Sequence, residues 1–302
     1  MTNDRKILSF GSLNIDTVLS VPHIVKPGET LSANSIETFV GGKGLNQSIA
    51  LSQAGSKVYH AGAVGMEDGE PLVSALKSYG VDTQFISTKE GKSGNALIQV
   101  DAEGQNSILL FDGTNKQITL DEMNSILQSF GQKDVVILQN EVNLLCEMID
   151  ATHERGMVIF FNPSPLNEVV FNCALEKIDW FIMNEIEAAQ LLKEDEYQND
   201  TLQKLIEKYP QSNFVITLGK AGAICYTKGQ FYTQEIHKVE TVDTTGAGDT
   251  FTGYFISVLL EEDDVQIALA KASIAAALSV TKKGASNSIP RIEQVEEIYL
   301  KN

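Results

Sequence analysis

The stretch Asp243-Thr-Thr-Gly-Ala-Gly-Asp249 sets two glycines and a carboxylate directly ahead of a long apolar, helix-forming run. Glycine lets backbone approach a ligand closely. The free amide groups at such a helix start, together with the helix dipole, favour negative charge. Phosphoryl transfer needs a hole of this kind, because charge builds on the phosphoryl oxygens in the transition state. Asp249, at the same spot, can take a proton from an attacking hydroxyl. The plainer alternative is a helix-terminal carboxylate beside a glycine turn. Two other phosphate motifs fail. Gly246 and Gly248 lack the third glycine of the dinucleotide fingerprint, since position 251 is Phe. Gly91-Lys-Ser93 resembles the tail of a P-loop, but Ile86 stands where that motif needs its first glycine.

Four further constellations carry polar chemistry. Gly41-Gly-Lys-Gly44 with Asn46 precedes a helix. Its backbone can wrap a polyhydroxyl ligand while Lys and Asn donate hydrogen bonds; alone, it also fits a helix-start turn. In Gly11-Ser-Leu-Asn-Ile-Asp16, Asn14 and Asp16 share a face of an extended chain. They suit sugar hydroxyls or a strand cap. Asn184 and Glu187 open a helix at the carboxyl end of a strand, the edge where open parallel sheets bind ligands. A carboxylate there suits hydrated Mg²⁺, and the alternative is a capping box. Thr217-Leu-Gly-Lys-Ala-Gly222 runs from a strand into a glycine turn that holds a nucleotide or is only a turn. His23, His60, His153 and His237 are isolated and have no metal-ligand spacing.

These groups need a scaffold. Strands are expected at 5–11, 14–21, 57–64, 83–88, 94–101 and 106–111, with helices at 46–53 and 70–78. Helix then alternates with strand: helix 120–130, strand 134–139, helix 143–155, strand 157–161, strand 179–183, helix 185–194, helix 200–208, strand 213–218. That alternation predicts an α/β fold, a doubly wound, mainly parallel central sheet flanked by helices. A hairpin at 223–233 and helices at 249–260 and 265–280 close it. The β-rich segments 14–40 and 83–112 break the alternation and read as a small projecting β-sheet lid on one domain, 1–302.

Bulk properties narrow the partners. The 302 residues carry a net charge of −17 and are 43% hydrophobic. Nucleic-acid and anionic-membrane partners need basic surface, so neither is expected. Cys146, Cys173 and Cys225 form no framework and read as buried free thiols of a reducing compartment. The N-terminal Met-Thr-Asn-Asp-Arg-Lys leads into a short strand, and no apolar run approaches a membrane span. A soluble, cytoplasmic protein is expected.

Taken in order, the five motifs resemble the ribokinase-like (PfkB-type) carbohydrate kinase family from Gly11 to Pro290. Gly41-Gly-Lys-Gly-Leu-Asn-Gln47, Pro27-Gly-Glu-Thr30 and Leu138-Gln-Asn-Glu141 are similar to its ribose-phosphorylating members. The resemblance implies transfer of the γ-phosphate of ATP to a primary hydroxyl, D-ribose first among acceptors, with fructose, another ketose or a nucleoside as alternatives. A non-catalytic sugar or nucleotide sensor on the same fold is the reading from another class.

By motif position, the family places Asn14, Asp16, Gly42, Lys43, Gly44, Asn46 and Glu141 on the sugar. Asp249 would deprotonate the accepting hydroxyl, and the amides of Gly246, Ala247 and Gly248 would form the anion hole. Asn184, Thr217, Leu218, Gly219, Lys220, Ala221, Gly222, Gly248 and Ser273 would lie along the nucleotide. Glu187 would organise Mg²⁺ through water. Asp243, Thr245, Ser279, Lys282, Gly284 and Ser288 match a monovalent-cation site suited to K⁺. Lids of two subunits clasp each other in the family, so a homodimer is implied. Three positions depart from the pattern: Leu45 for the usual Ala, Asn143 for a common Pro, and Ser273 for a larger adenine-facing residue.

Overall fold

The structure is a computed structural model that describes residues 5–301. Residues 1–4 and 302, which the expected 1–302 domain and the N-terminal reading include, lie outside the described residues. The strands are β1 (Ile7–Phe10), β2 (Asn14–Ser20), β3 (Ser35–Gly41), β4 (Val58–Gly65), β5 (Asp82–Lys89), β6 (Gly94–Val100), β7 (Asn106–Phe111), β8 (Val135–Gln139), β9 (Val158–Asn162), β10 (Trp180–Asn184), β11 (Asn213–Thr217), β12 (Ala223–Thr227) and β13 (Gln230–Gln234). The helices are α1 (Lys43–Gln53), α2 (Glu70–Ser78), α3 (Leu120–Leu127), α4 (Leu145–Glu154), α5 (Glu168–Phe171), α6 (Glu185–Leu191), α7 (Thr201–Lys208), α8 (Ala247–Glu262), α9 (Val265–Ser279) and α10 (Ile292–Tyr299).

Among the described residues, nine strands build the main sheet in the order β13-β12-β11-β10-β9-β8-β1-β4-β5. The pairs from β5 to β11 are parallel, and β12 and β13 add an antiparallel hairpin at one edge. The chain begins at β1, winds outward through β4 and β5, then returns to lay β8 on the other flank of β1. A crevice therefore opens at the carboxyl ends of β1 and β8, where doubly wound sheets bind ligands.

Period-two alternation feeds two cores, one on each face of the sheet. In β8, Val135 and Ile137 join the core beneath α1, α8 and α9, while Val136 and Leu138 join the one beneath α3 and α4. Phe214 and Ile216 of β11 point to the second core and Val215 to the first. Phe181 stacks on Phe214 with ring centroids 5.4 Å apart, fixing β10 against β11. Helix α8 is buried along most of its length, wedged between α1 and α9.

The second sheet has the order β3-β2-β6-β7. The expected lid segment 83–112 is divided by the structure: β5 pairs in parallel with β4, from Ala61↔Phe85 to Gly65↔Lys89, as an edge of the main sheet. Its Phe85 packs against Tyr59 and Phe130, at 6.0 and 5.6 Å between centroids, and the small sheet offers no such burial.

The cysteine expectation is corrected too. Cys146 and Cys173 form a disulfide across 27 residues, because the first turn of α4 packs on the end of α5. Cys225 alone is free and buried. No helix among the described residues is long and apolar enough to cross a membrane.

Candidate active site

Helix α1 begins at Lys43, three residues earlier than expected, so Lys43, Gly44 and Asn46 lie in its first turn. Gly42, at φ 95°, makes the entry but supplies no capping side chain. Groups distant in sequence cap the helix instead. The Lys43 amide donates to Glu141 Oε2 at 3.1 Å, the Gly44 amide to Ser12 Oγ at 3.3 Å, and the Leu45 amide to the Ser12 carbonyl at 3.0 Å. Ser12 in turn donates its hydroxyl hydrogen to Glu141. A Cβ at Gly44 would lie 2.4 Å from the Ser12 amide, so only glycine permits this approach.

Asn14 and Asp16 leave this junction on β2. Asn14 is oriented by Asn115, whose Nδ2 donates to Asn14 Oδ1 at 2.7 Å and whose Oδ1 accepts the Leu13 amide at 3.0 Å. Asn14, Asn115, Asp112 and Glu141 line a small cavity of about 210 Å³, closed on the lid side by Leu110 and Phe111 of β7. Among the described residues, no hydrogen bond reaches the Asp16 carboxylate, which lies against Gly41.

Gly246 caps the start of helix α8, left-handed at φ 75° and so close to Ala285 that a Cβ would meet it at 2.8 Å. Asp249 sits in the first turn and is buried. Its Oδ2 accepts Asn46 Nδ2 and its Oδ1 accepts Gln47 Nε2, each at 3.0 Å. The Ala247 amide reaches the Thr244 carbonyl at 3.3 Å, while no acceptor among the described residues takes the amides of Gly246 and Gly248. Gly246, Gly248, Asp249, Lys43, Asn184, Glu187 and Thr217 line an open cleft of about 490 Å³ beside the small cavity.

Charge is concentrated where the two spaces meet. Burial pushes the Asp16 carboxyl up to about 7, helped by the neighbouring charges of Glu141 and Asp249. Burial also raises Glu141, against the pull of Lys43 and the hydrogen bonds from Ser12 and the Lys43 amide. Burial works against the Lys43 ammonium, but Asp249, Glu141 and Glu187 outweigh it and hold its pKa above the ordinary lysine range.

On the far side of the cleft, Asn184 and Glu187 form a capping box: Asn184 Oδ1 accepts the Glu187 amide at 2.8 Å, and Glu187 Oε2 accepts the Asn184 amide at 3.0 Å. One oxygen of Glu187 thus has no bond within the box, and the side chain still lines the cleft. Residues Leu218–Gly222 make a tight turn between β11 and β12, closed by the Leu218 amide donating to the Gly222 carbonyl at 2.8 Å. Ser273 donates to the Glu235 carbonyl at 3.2 Å and does not line the cleft.

The two halves of the expected cation site meet. Amides of Val242 and Asp243 donate to the Val280 carbonyl at 2.7 and 3.1 Å. Asp243 Oδ1 accepts the amide and hydroxyl of Thr245, and Oδ2 accepts the Gly284 amide at 2.9 Å. Burial would raise this carboxyl, but those bonds outweigh it and keep it below the ordinary range. The hydroxyls of Ser279 and Ser288 are spent on the local carbonyls of Ala276 and Ala285, and Lys282 donates its amide to the Ser279 carbonyl at 3.3 Å.

A family model described as "pfkB family carbohydrate kinase" matches residues 4–292. The chain belongs to the pfkB family of carbohydrate kinases. A ribokinase of Haemophilus influenzae is 34% identical over 301 residues, covering 97% of this chain and 98% of that protein. A deoxyribokinase of Salmonella typhi is 33% identical over 300 residues, covering 96% and 97%. The crystal structure of a Cryptococcus neoformans ribokinase in complex with ADP superposes with a TM-score of 0.88 at 32% identity, covering 97% of this chain and 99% of that one. As a member of this family the kinase is a phosphotransferase that uses ATP and acts on a sugar hydroxyl.

Several residues of the kinase's site were not singled out in the sequence. Ser12, Asn115 and Gln47 act only through tertiary contacts. Asn162 and Thr252 line the cleft, and Asn162 had a usable signal, a polar residue ending a buried strand ahead of Pro163. Two departures from the family pattern have structural reasons. Leu45 is fully buried in the core rather than turned to the sugar side. Asn143 accepts the Ile118 amide at 3.2 Å and donates to the Ile118 carbonyl at 2.7 Å, tying the Asn115 segment to the Glu141 loop.

Proposed function

We propose that the kinase transfers the γ-phosphate of ATP to the primary hydroxyl of D-ribose, yielding D-ribose 5-phosphate. The observation that carries this reading is the placement of Asp249 in a cleft that adjoins an unlike space. On one side lies an acceptor-rich cavity lined by Asn14, Asp112 and Glu141, with Asp16 acting on Glu141 and Asp249 from nearby. On the other lies a cleft bordered by Lys43 and the free amide of Gly248.

A sugar presents hydroxyl donors, and the cavity holds acceptors in need of them. Among the described residues, Asn46 Oδ1 is buried without a partner and the Asp16 carboxylate accepts no hydrogen bond. In this reading Asn14, Asp16, Asn46, Glu141 and the backbone of Gly42, Lys43 and Gly44 hold the sugar. Asp249 accepts the proton of the hydroxyl as it attacks, and the amides at the start of α8 and the Lys43 ammonium receive the charge that develops.

Asn184 and residues Thr217–Gly222, with Gly248, border the nucleotide side. Ser273, bonded to Glu235, would act there only through the loop after β13. Glu187, with one carboxylate oxygen outside its capping box, suits a water-held Mg²⁺, which when bound neutralises phosphate charge. Asp243 and the loop 279–288 fit a large monovalent cation through carboxylate and carbonyl oxygens, and K⁺ is the ion proposed. Thr245, Ser279, Lys282, Gly284 and Ser288 would contribute main-chain oxygens or shape the loop.

The kinase is proposed to be cytoplasmic and a homodimer through the lid. Four consecutive residues of β7, Ile108, Leu109, Leu110 and Phe111, are exposed on a sheet edge, with Leu97 of β6 paired opposite Leu109 and Ile36 exposed on the far edge strand β3. An apolar strand exposed on both faces is otherwise an aggregation site.

A coupled ADP-release assay across D-ribose, 2-deoxyribose, fructose and nucleosides tests the proposal. D-ribose should give the highest kcat/KM; no turnover of ribose would sink it.

A further inference from the structure

Two glutamines that line neither cavity stand behind Asp249. Gln47 is 0% exposed and Gln139 is 1% exposed. Gln139 Nε2 donates to Gln47 Oε1 at 2.8 Å; Gln47 Nε2 donates to Asp249 Oδ1 at 3.0 Å and approaches Asn162 Oδ1 at 3.5 Å. An ionised carboxylate only accepts hydrogen bonds. Gln47 must therefore turn its NH₂ group to Asp249, which leaves its carbonyl oxygen facing Gln139. Gln139 must present NH₂ in turn. The charge on Asp249 thus sets the direction of the whole chain.

Among the described residues, that direction leaves Gln139 Oε1 buried without a partner, in the space a Cβ on Gly11 would fill, 2.2 Å away. An unsatisfied buried oxygen destabilises the fold, and such groups persist where a site requires them. Hydrophobic residues of similar size would fill the same volume without that defect.

We propose that Gln47, itself held by Gln139, is a positioning residue that holds the Asp249 carboxylate in one orientation without touching either substrate. The inference rests on the reading of Asp249 as the base. The charged groups acting near Asp249 are Lys43 from α1, Asp16 from β2, Glu141 from the loop after β8 and, through Lys43, Glu187 from α6. All of them remain in the variants below.

Gln47→Met and Gln139→Met remove the donors at nearly constant volume. With the sugar the wild type turns over, Gln47→Met should lower kcat by about 10- to 100-fold, the range for one hydrogen bond to a charged group. KM for sugar and ATP should change by less than about threefold, because no transition-state-independent contact is lost. Gln139→Met should lower kcat by less, with KM likewise held within about threefold. Thermal unfolding shows whether each variant is folded at the assay temperature; if Gln47→Met is not, Gln139→Met carries the test by the same criteria. Wild-type kcat in Gln47→Met overturns the inference, as does a loss confined to KM. Turnover retained by Asp249→Asn would sink the base assignment and this inference together. An inactive Asp249→Asn beside variants of Gln47 and Gln139 that behave as wild type would sink this inference alone.

Discussion

Replacing Asp16 by Asn should make the sugar-free kinase more stable, by an amount that grows with pH. Asp16 is partly buried beside Glu141 and Asp249, and desolvation with those neighbouring charges pushes its carboxyl from the ordinary 3.8 to about 7. The folded protein therefore keeps a proton on Asp16 between pH 3.8 and about 7 that the unfolded chain has released. Stability falls as pH rises through that window and levels off above it. At 1.36 kcal/mol per pH unit, the displacement costs the wild type about 4 kcal/mol at pH 8 and about 2 kcal/mol at pH 5. Asn has the same shape, fits against Gly41 and carries no charge, so the variant escapes this cost. At about 2 °C per kcal/mol for a chain of this size, the melting temperature should rise by roughly 8 °C at pH 8 and by about half that at pH 5. Urea or thermal unfolding of both proteins without sugar, at pH 5, 6.5 and 8, measures the difference. His60, which also titrates in this range, is present in both proteins and drops out of the comparison. A difference that does not change with pH, or a variant less stable than wild type at pH 8, would refute the reasoning.

Three other outcomes follow from separate regions. Exchanging K⁺ for tetramethylammonium, or introducing Asp243→Asn, should lower kcat by roughly tenfold through lost electrostatic stabilisation near the start of α8; unchanged steady-state rates would end the cation proposal. Leu109→Lys together with Phe111→Lys should convert a dimer to a monomer in light scattering after size exclusion, and a wild type that elutes as a monomer contradicts the lid interface. His60 is fully buried, shares a 2.7 Å hydrogen bond with Ser48 through Nδ1, and is depressed from 6.5 to about 4. Because the folded state resists that proton, stability is complete above pH 6.5 and declines as pH falls toward 4, by up to about 3 kcal/mol; His60→Gln should flatten this part of the unfolding profile.

The alternation of strand and helix from 120 onward was legible because parallel strands buried on both faces read as short apolar runs bounded by turns, as Val135–Gln139 and Phe214–Ile216 do. The glycine turn before Asp249 was legible for the same local reason: left-handed Gly246 and the helix start are properties of neighbouring residues. What failed was set by distant partners. Helix α1 starts at Lys43 because Glu141 and Ser12 cap it from 98 and 32 residues away. Strand β5 joins the main sheet because Phe85 finds Tyr59 and Phe130. Cys146 and Cys173 meet only through the packing of α4 on α5. Gln47 and Asn115 look like ordinary polar residues until the partners they orient are placed beside them.

Three carboxylates around one ammonium form an arrangement that a folding chain alone would not favour, and its cost points to what must occupy the cavity. Among the described residues no donor reaches Asp16, and with its carboxyl at about 7 it keeps its own proton up to near neutrality. A sugar that brings hydroxyl donors to it replaces that proton, and binding and deprotonation of Asp16 become one event. Sugar affinity should therefore strengthen as pH rises to 7 and flatten above it. For a group at about 7, the dissociation constant should fall about tenfold between pH 6 and pH 8. Calorimetry in two buffers of different ionisation enthalpy should register about one proton released per sugar bound at pH 6. Asp16→Asn should bind more weakly with no such dependence. A wild type whose sugar affinity is the same at pH 6 and 8, with no proton released, would mean that Asp16 is already ionised or does not meet the sugar, and the division between an acceptor-rich sugar cavity and a donor-rich phosphate cleft would lose its main support.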